Sequence, residues 1–173
     1  GAAVLSAILT QGQNKIESFS LINQQVYGEQ TTLKAIQLTN GSILHHWYNN
    51  DQSRLSLRLF SEELDVQSDE LEIIFSHNFY QSSLVATSKN TFFIASASTS
   101  TKAIKLSEYT SELTLLNEVT FDSNETYSYP ELFVTSNNDL ILLWDSGEDL
   151  SAKFFDQDLN EIAFIEDVFS QTV

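Results

Sequence analysis

Adjacent histidines, His45 and His46, stand in the segment SILHHW and invite a metal or acid–base reading. Neighbouring residues of a strand point to opposite faces, so the two imidazoles cannot hold one ion together. In the two segments that align with this one, their places are taken by Phe93-Ile94 and Leu142-Leu143. That pattern fits a packed, hydrogen-bonded histidine pair, with a pH-sensitive contact as the other reading. Asp145, Ser146, Glu148 and Asp149 gather oxygen atoms in one tight turn, and Asn49, Asn50 and Asp51 are the equivalent earlier in the chain. Such oxygens suit calcium, although the spacing is not that of an EF-hand and solvated turn acids are the competing reading. Trp47, Tyr48 and Trp144 are candidates for stacking on a carbohydrate. Repeat-equivalent tryptophans are more often core.

Other chemistry lacks its residues. There is no Cys, which removes disulfides, thiolate metal sites and thiol nucleophiles together. Neither a G-x-S-x-G elbow nor a Gly-rich phosphate loop occurs. With 24 acidic residues a glycosidase pair arises by chance without being identified. The expectation is a protein that is not an enzyme. Its net charge of −16 repels phosphate backbones and anionic lipid, so nucleic acid is not expected as a partner. No window approaches the ~18 apolar residues of a membrane span, and membrane insertion is not expected either. A chain free of Cys and Met, acidic and rich in Asn, Ser and Thr suits an extracellular or cell-surface location. The opening Gly1-Ala2-Ala3-Val4-Leu5 lacks a basic leader region, which suggests a processed or excised piece.

The elements that must position these residues repeat. LTNGSILHHW from Leu38, ATSKNTFFIA from Ala86 and VTSNNDLILLW from Val134 each join a polar turn to a bulky apolar run. Downstream, FSEELDV from Phe60, YTSELTLL from Tyr109 and FDQDLNEI from Phe155 share an aromatic, acidic polar residues, Leu and an aliphatic. Trp47 and Trp144 lie 97 residues apart and Phe60 and Phe155 lie 95 apart, so the unit is about 48 residues. That period falls in the ~40–50 range of propeller blades. Each unit can be written as four short strands: TTLKAIQL, SILHHWYN, RLSLRLF and LEIIF; SSLVAT, TFFIASAS, AIKLSEY and LTLLNEV; ELFVTS, LILLWDS, SAKFFD and EIAFIEDV. The second strand reads as buried on both faces. The third alternates Leu55, Leu57 and Leu59 with Ser56, Arg58 and Phe60, as a half-exposed strand does. Tight turns must use Asn and Asp, since Gly numbers 5 and Pro 1.

The expected fold is therefore all-β, a propeller-like array of four-stranded antiparallel units in one repeat domain, with a β-trefoil as the alternative. Residues 1–30 form a partial unit, and 31–80, 81–128 and 129–173 are units one to three, about 3.5 in all.

The stretch GSILHHWYNNDQSRLSLRLFSEEL, Gly41 to Leu64, resembles the propeller-like repeats of large secreted bacterial surface proteins, including adhesins of the RTX type. Unit three shares the pattern through Trp144, Asp145-Ser146-Gly147 and Phe155-Asp156, whereas unit two has Ala95 for the Trp and Ser-Thr-Ser for the acidic turn. The resemblance implies a non-catalytic surface or secreted module, with calcium as a candidate ion. Three functions stay open: an extracellular binding or adhesion module, a carbohydrate-active propeller (lectin or glycoside hydrolase), and a subunit of an extracellular assembly. The partner is then a protein or carbohydrate at the cell surface, or a second copy.

Overall fold

Alternating and β-branched apolar runs separated by polar turns dictate strands throughout. The computed structural model describes residues 5–9, 16–21, 30–49, 54–74, 79–98, 101–123, 129–145 and 149–168, and every element among them is a strand. β1 (Leu5–Leu9) and β2 (Ile16–Leu21) form a two-stranded antiparallel ladder. Sheet one contains β3 (Gln30–Gln37), β4 (Ile43–Asn49), β5 (Arg54–Phe60) and β6 (Leu71–Ile74). Sheet two contains β7 (Phe79–Ala86), β8 (Thr91–Ser98), β9 (Ala103–Thr110) and β10 (Leu115–Asp122). Sheet three contains β11 (Glu131–Val134), β12 (Leu140–Asp145), β13 (Leu150–Phe155) and β14 (Glu161–Ile165). Each is an antiparallel meander in chain order, so the all-β, four-strand expectation holds strand by strand. The chain divides into two compact units, Gly1–Gln37 with Gly41–Ile74, and Leu38–Asn40 with Phe75–Val173.

Two turns recur in each four-stranded sheet, and both contain a residue in the left-handed region. Between first and second strands it is Gly41 (φ 88°), Asn90 (63°) and Asn138 (64°), residue types that adopt it readily. Between third and fourth strands it is Leu64 (64°), Leu113 (64°) and Leu159 (63°). A left-handed Leu costs about 1–2 kcal/mol. Burial offsets this at Leu64 and Leu159, which are 5% and 4% exposed, and Leu113 is half-buried. The residue heading the turn adds to it: Ser61 Oγ, Thr110 Oγ1 and Asp156 Oδ1 each accept two backbone N–H groups from inside their turns. The Asn160 side-chain amide, followed by backbone N–H groups of that turn, holds the Asp156 carboxyl below its ordinary pKa.

In the second compact unit the core lies between sheets two and three. Phe93, Ala95, Ala97, Ile104 and Leu106 from one face of sheet two, flanked by Val85, Val119 and Phe121, meet Leu132, Leu140, Leu142, Trp144, Phe155 and Leu159 of sheet three. The register places Val85 opposite Phe93 and Ala95 opposite Leu106, so these side chains share one face. Phe121 lies 5.6 Å from the Trp144 ring and 6.0 Å from that of Phe155. The edge strands are tied by Ser83, which is buried: its hydroxyl donates to Glu131 Oε2 and accepts from Leu132 N, both at 3.0 Å.

In the first compact unit Trp47, Phe60 and Leu64 cluster with Ile43 on one face of sheet one, while Leu44, Leu55, Leu57 and Leu59 are buried as well. The expected half-exposure of the third strand is corrected here: β5 is buried from Leu55 to Phe60, with Ser56 at 2% and Arg58 at 8%. β5 is an inner strand, paired on both edges. Arg58 is tolerated because Nε donates to Ser68 O and its guanidinium lies 5.7 Å from the Phe60 ring centre.

Candidate functional site

The residues picked from the sequence do not converge. Trp47 and Trp144 are 1% and 2% exposed, and Tyr48 is 8%. Trp144 is sandwiched by packing, with Phe164 stacked at 5.9 Å and 3°. All three occupy buried positions. Asp145 ends β12 half-buried and Asp149 is exposed. Asp51 and Glu148 lie outside the described residues. Among the described residues no three His, Asp or Glu side chains are gathered as metal ligands would be.

His45 and His46 are buried at 4% and 1%, on opposite faces of β4. The expected hydrogen bonding is absent at His45 among the described residues: both ring nitrogens lack a partner there, and the ring instead meets Phe60 edge-on at 5.1 Å. Its cross-strand neighbours are Arg58 on one side and Ala35 on the other. His46 is pushed down to about 3, first by burial and then by Lys34 and His45. Counting from the left-handed turn residue also shifts the alignment: His45 corresponds to Ile94 and Leu142, His46 to Ala95 and Leu143, and Trp47 to Ser96 and Trp144. Ser96, not Ala95, therefore stands in place of the tryptophan.

What the structure does assemble is an apolar face on sheet three. Its sequence register pairs Phe133 with Ile141, Ile141 with Phe154, and Phe154 with Ala163, so these side chains share the face turned away from sheet two. Leu143 and Ile165 extend it. Phe133 is 50% exposed and Ile162, beside the β13–β14 irregularity, 60%. A shallow cavity of about 430 Å³ opens here, lined by Ile141, Phe154, Ile162, Ala163 and Ile165 together with Thr135 and Asp139 of the turn. No protein-family model matches the chain, and no curated protein matches it.

The equivalent face of sheet two is closed. Phe93 and Ala95 correspond to Ile141 and Leu143, yet are 1% and 0% exposed under sheet three. Contiguous exposed apolar area of this kind is characteristic of interaction surfaces and ligand-binding grooves. Sequence patterning missed it because β12, as a second strand, read as covered on both faces. The available signal was the apolar residue at both parities in LILLW and EIAFI.

Proposed function

We propose that the chain is a non-catalytic binding module of a secreted or surface-exposed protein, built of propeller-like blades and working by protein contact through the open face of sheet three. The open face carries the reading: Phe133 and Ile162 are exposed and Ile141 and Phe154 half-buried, an apolar area whose cavity has Asp139 as the one acid among the described residues of its lining. A propeller is favoured over a trefoil because each unit completes its own four-stranded meander. The first strands of sheets two and three also lie side by side, joined through Ser83 and Leu132. The Cys-free acidic composition and the resemblance to adhesin repeats supply the extracellular setting. The same face also favours a second reading, a subunit of an extracellular assembly.

The test presents the immobilised chain to arrays of extracellular-matrix proteins and glycans, beside a Phe133→Glu/Ile162→Glu variant. Saturable protein binding, lost in the variant while circular dichroism is unchanged, is the expected result. Binding that survives the variant places the contact elsewhere, and cleavage of an arrayed glycan contradicts a non-catalytic role.

A further inference from the structure

The open face has an internal precedent that says what fits it. Sheet two presents Val85, Phe93, Ala95, Leu106 and Val119, and the unit that follows it in sequence covers them with Leu132, Leu140, Leu142 and Trp144. The same face of sheet three presents Phe133, Ile141, Leu143, Ala152 and Ile165 at the equivalent register positions. Four of these five are half-buried or exposed.

Polar bonds repeat with the same step. Within the second compact unit, Thr39 Oγ1 donates to Asn90 Oδ1 at 3.2 Å, and Ser88 donates to Asn138 Oδ1 through both N and Oγ at 2.9 Å. In each case a hydroxyl residue two places before one left-handed turn residue reaches the left-handed Asn of the next turn. Ser136 holds that place before Asn138, is exposed, and makes no such bond among the described residues. A hydroxyl donor and an apolar sheet face thus both repeat, at sheet three, positions that are bonded and covered one unit earlier.

We propose that the open face of sheet three docks one further four-stranded unit of this same repeat, which would lay its apolar strand on Phe133, Ile141 and Phe154 and bring its left-handed turn residue to Ser136. The proposal rests on the protein-contact reading of this face and names its partner. Shape and chemistry both follow from the packing of sheets two and three: an apolar strand with Leu and Trp inward, and an Asn acceptor at the turn.

The absence of Cys makes the test clean, since Phe133→Cys introduces a single thiol. Its alkylation rate is measured in the whole chain and in the chain extended after Val173 by a second copy of residues 129–173. The expected result is a thiol in the unextended chain reacting nearly as fast as in urea, and slowed at least about tenfold by the extension, because reaction then requires the added unit to open. A second extension, carrying residues 81–128, guards against one that does not fold. An unchanged rate in both overturns the proposal. Slowing in the unextended chain that rises with its concentration, with a dimer in sedimentation, overturns it in favour of two faces meeting in a pair of copies. If the thiol stays open in both extensions but the array binding is still lost in Phe133→Glu/Ile162→Glu, this inference fails and the contact-face reading survives.

Discussion

Leu159 offers a stability experiment in which the ordinary order of two substitutions inverts. The residue holds φ 63° and is 4% exposed, so its burial opposes its backbone strain. Leu159→Ala removes the side chain, at about 2–5 kcal/mol for a buried Leu, and leaves a Cβ in the left-handed region at about 1–2 kcal/mol. Leu159→Gly removes the same side chain and relieves that strain. It adds roughly 0.5–1 kcal/mol for the greater freedom of Gly in the unfolded chain. Leu159→Gly is therefore expected to be more stable than Leu159→Ala by about 0.5–1 kcal/mol. Leu142, fully buried in mid-strand of β12, is the control: there Gly should fall below Ala by about 0.5–1 kcal/mol. Equilibrium urea unfolding of the four variants, followed by tryptophan fluorescence, reads both differences. If the Leu159 pair follows the Leu142 order, the repeated turn does not hold its Leu in a strained conformation and the reasoning is refuted.

Three further outcomes are expected. His46 is buried neutral and takes a proton only near 3 when folded, against 6.5 in the unfolded reference, so its contribution is complete above about pH 6.5 and is lost as pH falls toward 3. Urea midpoints near pH 7 and pH 4 should separate less in His46→Leu, which copies Leu143 of unit three, than in the unaltered chain; equal separations contradict the assignment. Asn138→Gly keeps the left-handed turn but deprives Ser88 N and Oγ of their acceptor, and should cost about 1–2 kcal/mol in the same unfolding assay. Calcium held by the Asp145 to Asp149 turn would stabilise by mass action, and coincident melting curves in calcium and in chelator remove it from the account.

The strands were legible because apolar runs of strand length alternate with Ser, Thr, Asn and Asp, and because the unit recurs about every 48 residues. The recurrence of Leu64, Leu113 and Leu159 was legible too, but their left-handed backbone was not. Leu is among the least suited residues there, and only burial reveals why it is kept. Alternation misjudged β5, since Ser56 and Arg58 signal exposure by type while Trp47, opposite Ser56, and the Phe60 ring beside the Arg58 guanidinium share their face. The apolar face of sheet three escaped for a related reason. An apolar residue announces that it prefers cover, and Ile141 reads the same as Phe93 although only Phe93 lies beneath a neighbouring sheet.

The claim that sheet three has an uncovered apolar face is tested most directly by carbene footprinting of the native chain, read residue by residue by mass spectrometry. The account predicts heavy labelling at Phe133 and Ile162, with Phe93 and Leu106, buried in the covered core of sheet two, protected. Labelling of Phe133 and Ile162 as low as that of Phe93 would contradict it.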